Sequence, residues 1–300
     1  MNSLRLGVDL GGTKTAITVL DADRAERFVR RAATPVGAYE SALTELSEMI
    51  LAAEREAGSR CSIGLGMPGA ISARTGLVRN AFNTVFNARP LKSDLERLLA
   101  REIRIANDAN CFALSEATDG AARGAHVVFG AILGTGAGGG IVVGGKASEG
   151  RNRIGGEWGH NPLPWMTPDE YPGPRCTCGR LGCIEQFVSG PALERDYALA
   201  TGRTLEPAAI AVEAASGKAD FEDSLRRYED RLARALAHVV NLLDPDVIVL
   251  GGGLSNLDRL YANVPGLLPR YAYSGEVETR VVRAAHGDAS GMRGAAMLWP

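Results

Sequence analysis

Cys176, Cys178 and Cys183 crowd into eight residues, with His160 upstream, and three thiolates with one imidazole form the set that Zn²⁺ takes in closed, structural sites. With all four positions filled by protein, no place is left for a catalytic water, so the expected zinc is structural. It would pin Glu157, three residues before His160, and Glu185, two after Cys183, at fixed positions. Carboxylates held in that way suit recognition of a polyol, and they read equally as surface acids or outer partners of the metal.

A second set is built on glycine. Gly11-Gly12, the run Gly134 to Gly140 and Gly251 to Gly253 each follow a strand pattern, and the missing Cβ lets backbone N–H groups approach a phosphate. Thr13, Thr15 and Thr135 add hydroxyl donors, while Lys14 either reaches a phosphate or stays solvated. One such turn is an ordinary hairpin. Three of them suit a nucleotide's phosphates and ribose, although none matches G-x-x-x-x-G-K-[ST] or a dinucleotide-binding G-x-G-x-x-G unit. Asp9 lies in an apolar strand just before Gly11, where a carboxylate needs a cation, water or N–H donors; Mg²⁺ carried on the phosphates would meet that need.

The third feature is Asn107-Asp108-Ala109-Asn110, at the end of a strand. Phosphoryl transfer needs an acceptor hydroxyl aligned with the γ-phosphorus, charge screening, and a carboxylate to take the proton. Asp108 fits the last requirement, with Asn107 and Asn110 placed to bind sugar hydroxyls. The same run also reads as an N-cap for a helix of residues 111–119.

The elements that must position these groups are legible from periodicity. Residues 4–20 read as a hairpin, followed by a strand at 27–33, an amphipathic helix at 38–57 ending at Gly58, and a strand at 62–67 stopped by Pro68-Gly69. A helix at 91–101 and a strand at 103–106 lead to Asp108. Strands at 127–133 and 140–143 flank the second glycine turn, so that 7–20 and 130–143 look like two copies of one hairpin. A long helix at 222–243 breaks at Asp244-Pro245 before a strand at 247–250, and a closing helix spans about 291–298. Residues 145–190 lack periodicity and hold the cysteines. Cys61 and Cys111 fall at a strand start and a helix start and are assigned to the core.

A chain of 300 residues favours two lobes with a cleft between them. Its formal charge of −2 gives no footprint for nucleic acid or an anionic membrane, and no apolar run reaches the ~20 residues that span a bilayer. A cytoplasmic protein acting on small molecules is expected.

These motifs together resemble a sugar kinase of the ROK (repressor, open reading frame, kinase) family, in the sugar-kinase/Hsp70/actin superfamily. The likeness is carried by D-L-G-G-T-K (9–14), G-M-P-G (66–69), N-D-A-N-C (107–111), L-G-T-G-A-G-G-G (133–140), G-E-W-G-H (156–160), C-x-C-G-x-x-G-C-I-E (176–185), D-P-D-V-I-V-L-G-G-G (244–253) and H-G-D-A-S-G-x-R-G-A-A (286–296). It implies an α/β fold of the two-domain actin-like ATPase type, ribonuclease-H-like duplicated domains with a cleft. Domains of 1–106 and 107–286 are expected, with residues 287–300 returning to the first and a zinc-binding insert at about 156–186. By the same resemblance Asp108 is the catalytic base, while Asn107, Glu157, His160 and Glu185 bind the sugar and His160 also ligates zinc. Asp9, Gly11, Gly12, Thr13, Lys14, Thr135 and Gly136 serve ATP and its Mg²⁺, Gly252 and Gly253 lie at the adenosine side, and the protein is a homodimer. Within the family, G-E-W-G-H-N-P-L-P-W-M (156–166) and the ending R-G-A-A-M-L-W-P most resemble bacterial fructokinases, which makes D-fructose, phosphorylated at its 6-position, the expected hexose, with mannose or glucose as further substrates. N-acetylglucosamine or glucose kinase is the alternative, since the former share N-D-A-N-C-F-A-L-S-E and the cysteine cluster. The sugar-specific wall is expected within residues 80–90 (NAFNTVFNARP). A sugar-responsive regulator is disfavoured because the hairpin begins by Gly7, ahead of which no helix-turn-helix fits.

Overall fold

In the computed structural model, which describes residues 4–81, 84–215 and 218–300, the opening alternation forms β1 (Arg5–Leu10) and β2 (Lys14–Leu20), joined through Gly11. There follow β3 (Glu26–Ala33), α1 (Tyr39–Ala57), β4 (Ser62–Met67), the short pair β5 (Ala70–Ile71) and β6 (Val78–Arg79), and α2 (Leu91–Leu99). Next come β7 (Ile103–Asn107), α3 (Asp108–Thr118), β8 (Val127–Leu133), β9 (Ala137–Val143) and β10 (Lys146–Ala147). After the irregular insert the chain forms α4 (Glu185–Val188), α5 (Gly190–Thr201), α6 (Pro207–Ala215), α7 (Ala219–Leu243) and β11 (Val247–Gly251). It ends with α8 (Asp258–Tyr271), β12 (Arg280–Arg283) and α9 (Ser290–Ala296). Elements α5, α6, α8 and β12 occupy stretches to which periodicity assigns nothing. No helix among the described residues is long and apolar enough to cross a membrane.

By internal contacts the chain forms two units, the first being Met1–Asp119, Gly140–Gly155 and Asp288–Pro300, the second Gly120–Gly139 and Gly156–Gly287. The first unit's sheet has the order β3-β2-β1-β4-β7. Its first three strands are antiparallel neighbours, whereas β4 and β7 run parallel to β1. Parallel strands deliver their C-terminal ends to one edge, where ligand sites of α/β sheets collect. Here Asp9 pairs in register with Gly66, and Met67 with Asn107, so the three expected site motifs of this unit reach the same edge.

One face of this sheet is covered by α1, whose stripe Ala42, Leu43, Leu46, Ile50 and Ala53 is buried; the helix ends at Gly58, whose φ of 67° is cheap for glycine. Against β1, β4 and α3 packs the closing helix α9, and it does so at backbone distance. A Cβ on Gly64 would stand 1.8 Å from the Ala295 carbonyl oxygen, and one on Gly294 would stand 1.7 Å from that of Cys111. Polar ties fix the same segment: Arg293 pairs with Asp119 at 2.7 Å, and the Trp299 indole N–H donates to the Ile63 carbonyl at 2.7 Å.

The second sheet has the order β10-β9-β8-β11-β12, with β11 parallel to β8 and β12 parallel to β11. Both sheets therefore place a hairpin and its outer strand beside two strands parallel to the hairpin's first, as expected from the repeated glycine hairpin. The stripe of α7 (Leu225, Tyr228, Leu232, Leu236, Val239 and Val240) is buried in the second unit's core. It terminates at Asp244, whose φ is 46°, immediately before Pro245.

Candidate functional site

In the first unit, Asn107 and Asp108 sit at the joint between β7 and α3. The helix begins at Asp108, three residues earlier than its periodicity suggests, because Asn107 is its N-cap: the Asn107 side-chain oxygen accepts the Ala109 N–H at 2.9 Å. The other end of that amide donates to the Gly69 carbonyl at 3.1 Å. Gly69 has φ of 73°, and a Cβ there would stand 2.1 Å from the Arg79 oxygen, so the G-M-P-G turn depends on glycine to present this acceptor. The Asp108 carboxylate accepts the Ala109 N–H at 2.8 Å. Burial pushes its carboxyl above the ordinary range, against the pull of N–H donors from Ala109, its own backbone and Asn107. Cap and chemistry are thus compatible, since Asn107 does the capping while Asp108 keeps a carboxylate at the first turn.

Asp9 ends this acidic group on β1. Its carboxyl is pushed up to about 7, first by burial and then by the neighbouring charges of Asp108 and Asp288. Gly291 of α9 makes the room for it, because a Cβ at that position would stand 2.5 Å from Asp9 Oδ2. Beyond Asp9 the turn is tied by Gly11 N–H to the Lys14 carbonyl at 3.0 Å and by the Thr34 hydroxyl to the Gly11 carbonyl at 2.8 Å. Thr13 and Lys14 are exposed at its tip. Thr15 corrects the expectation of a third hydroxyl donor: it is fully buried and bonded to the Thr34 hydroxyl at 3.0 Å. Asn110 is likewise committed to the fold, buried with its side-chain oxygen accepting the Ile141 N–H at 3.3 Å.

In the second unit the ligand atoms of His160, Cys176, Cys178 and Cys183 all lie within 4.8 Å of one another. His160 Nδ1 is 3.5 Å from Cys176 Sγ, and the Cys178 and Cys183 sulfurs are 3.6 Å apart. A knuckle holds the thiols, with Cys176 N–H bonded to the Arg180 carbonyl and Gly179 N–H to the Cys176 carbonyl. Three soft thiols and one imidazole converging on one point fit a tetrahedral zinc and suit a hard cation poorly. The far side of the imidazole faces Glu157, whose carboxylate is 4.0 Å from His160 Nε2. Glu185 bridges the cluster to the second glycine turn: Oε1 is 3.7 Å from Cys176 Sγ, and Oε2 accepts the Ala137 N–H at 3.0 Å. A Cβ on Gly136 would stand 2.6 Å from that Oε2.

The same turn supports the short 3-10 turn that Glu157 precedes, since Trp158 donates its indole N–H to the Gly138 carbonyl at 2.7 Å and packs edge-on against Phe129. Thr135 is exposed on the turn, and Gly252 and Gly253 are exposed after β11. Farther along the insert, Glu170 is clamped by Arg231 and Arg234 of α7 at 2.8 and 2.7 Å, which together hold its carboxyl at about 2 despite burial. Arg234 also donates to the Trp165 carbonyl at 2.9 Å, so the irregular chain has a second anchor besides the thiol cluster.

The structure thus gathers Asp9, Asn107 and Asp108 in one unit, and Glu157, His160, Glu185 and the cysteines in the other. Two groups escaped sequence reasoning. Asp288, inside the H-G-D-A-S-G run, contributes charge beside Asp9, and the Glu170 clamp falls where no motif exists. Within the expected sugar wall, Phe82 and Asn83 lie outside the described residues.

Duplicated sheets of this order, each with a glycine turn after its first strand, and a partly buried carboxylate beyond a strand end define a sugar kinase of the actin-like ATPase fold. The chain belongs to the ROK family, a model of which matches residues 5–300. It is 40% identical over 296 residues to an N-acetyl-D-glucosamine kinase of Pectobacterium atrosepticum, covering 97% of each chain. Its fold matches that of a ROK hexokinase from Thermus thermophilus with a TM-score of 0.87 at 34% identity, covering 98% of this chain and 97% of that one. A ROK family glucokinase from Streptomyces griseus, solved in complex with glucose and AMPPNP, matches with a TM-score of 0.79 at 30% identity over 99% of both chains.

Asp9 makes the folded protein pH-sensitive. Its folded value of about 7 lies above the ordinary 3.8, so the folded state holds this proton more tightly. The resulting stability is complete below about pH 4 and is lost as pH rises through 7. Without nucleotide, Asp9→Asn is expected to raise stability at pH 8 by roughly 2–4 kcal/mol and to flatten its pH dependence between 4 and 7; thermal melts showing the wild-type slope in the variant would contradict this.

Proposed function

We propose that the protein transfers the γ-phosphoryl group of ATP to the 6-hydroxyl of N-acetylglucosamine. The observation that carries the choice of sugar is the 40% identity, over nearly the whole chain, to an N-acetyl-D-glucosamine kinase. Fructose, suggested by the flank at 156–166, has no counterpart among these relatives. In this reading Asp108 takes the hydroxyl proton as the sugar oxygen bonds to the γ-phosphorus and the bond to the β-bridging oxygen breaks, releasing ADP. A carboxyl raised by burial is a stronger base than an exposed one, which is the property this step uses.

Asn107, held by Gly69 and Ala109, offers its amide to the sugar, and Glu157, His160 and Glu185 accept and donate at the remaining hydroxyls. Gly11, Gly12, Thr13, Lys14, Thr135 and Gly136 supply donors for phosphates, with Gly252 and Gly253 at the adenosine. Asp9 lies near the Mg²⁺ that accompanies ATP, whose charge relieves a carboxylate otherwise buried among acids.

A zinc ion held by His160, Cys176, Cys178 and Cys183 is structural in this reading. When bound, the ion would fix the His160 imidazole, and Glu185, touching both the cluster and the Ala137 N–H, links the cluster to the glycine turn. Five free thiols fit a reducing, cytoplasmic setting.

ADP release measured across N-acetylglucosamine, glucose, mannose and fructose tests the substrate. N-acetylglucosamine is expected to exceed the others in kcat/KM by at least about tenfold, and a preference for fructose would overturn the choice. Elemental analysis of the purified protein is expected to find one zinc per chain, reduced in Cys178→Ser along with sugar affinity; a metal-free wild-type protein with full activity would refute the zinc assignment.

A further inference from the structure

The first unit holds a cavity of about 850 Å³ that none of Asp9, Gly11, Thr13, Asn107 or Asp108 lines. Its size is in the range of small-molecule sites and far beyond that of an inorganic ion. Four cations border it, Lys92, Arg104, Lys146 and Arg153, against a single side-chain carboxylate, Glu149. Such an imbalance is local, since the chain as a whole is weakly acidic.

The cations differ in how they are held. Arg153 is placed by a bond to the Ile71 carbonyl at 3.2 Å and lies 4.0 Å from Glu149. Arg104 lies over the Trp299 ring at 4.1 Å and donates to the Leu298 carbonyl at 2.5 Å. Lys92 is 3.6 Å from Glu96, whereas Lys146, at the start of β10, has no ion pair among the described residues. Two anchored guanidinium groups, the Lys92 ammonium beside Glu96 and the unpaired Lys146 ammonium therefore border one space, whose other wall is apolar: Ile71, Ile105, Leu114, Met297 and the Trp299 indole.

We propose that this cavity is a second ligand site, taking a small phosphorylated metabolite: a phosphate monoester on an uncharged organic body. The phosphate answers the cations, which can supply several charge-assisted hydrogen bonds, and the body lies on the Trp299 wall. An inorganic anion would leave most of the volume unfilled. Nucleic acid is a poor fit, because the formal charge of the whole chain is −2.

Trp299 provides the readout, with Trp158 and Trp165 as the remaining fluorophores. With the sugar site saturated by N-acetylglucosamine, titration of the full chain with glucose 6-phosphate is expected to change tryptophan emission saturably, with weaker binding of inorganic phosphate, no further response to glucose, and loss of affinity as salt rises. Lys146→Ala should weaken glucose 6-phosphate by at least about fivefold, and Lys92→Ala/Lys146→Ala by over about twentyfold. Trp299→Phe should abolish the signal. Both lysines are on the surface and outside the catalytic set, so unchanged turnover verifies that the variants are folded. Equal affinity in the double variant, a signal that survives Trp299→Phe, tighter binding of citrate than of the sugar phosphate, or no saturation at millimolar concentrations would each overturn the proposal.

Discussion

Crowding partly buried carboxylates at one strand end is the constraint around which the first unit is arranged. Asp108 and Asp9 are each partly buried, in the company of Asp288, and an ionised carboxylate in such a place must be repaid by donors or a cation. The donors on hand are the first-turn N–H groups of α3 and the amide of Asn107. They do not neutralise Asp9. The surrounding architecture makes sense as the means of holding this unfavourable arrangement: β1, β4 and β7 run parallel so that their ends converge, and α9 closes over them at backbone distance through Gly64, Gly291 and Gly294. A side chain at any of these glycines would push the closing helix away from the acids it covers.

The second unit solves a different problem with different chemistry. Residues 156–186 have almost no regular structure, and a long segment of that kind has too little buried backbone pairing to fix side chains by itself. Two clamps replace it. At one end the thiol and imidazole cluster draws together His160 and a short knuckle; at the other, Arg231 and Arg234 grip Glu170 against α7. Glu185 is the link between cluster and glycine turn, which is why Gly136 cannot carry a side chain without displacing a carboxylate.

What the sequence revealed follows from which forces are local. Strand alternation, the α1 and α7 stripes, the Gly58 cap and the close spacing of Cys176, Cys178 and Cys183 each report an interaction short in sequence, and the structure places all of them. The family motifs extended that reach to the class of α/β fold. Long-range commitments left no such mark: nothing near Thr15 announces Thr34, nothing near Asn110 announces Ile141, and both side chains look equally free to bind ligand until the partner is seen. Asp288 was written in a motif yet lacked a role, because its effect is electrostatic and acts on Asp9 from the other end of the chain. The choice of sugar depended on a flank whose resemblance to fructokinases was outweighed by likeness over the whole length.

The central claim is that Asp108 acts on a proton and does not merely hold the fold or the sugar. Asp108→Asn keeps the shape and the acceptor for the Ala109 N–H while removing the base, so calorimetric affinity for N-acetylglucosamine should stay within about threefold of wild type as kcat falls by about 10²–10⁴. A variant that turns over at near the wild-type rate, or one that loses sugar binding in proportion to turnover, would contradict the account.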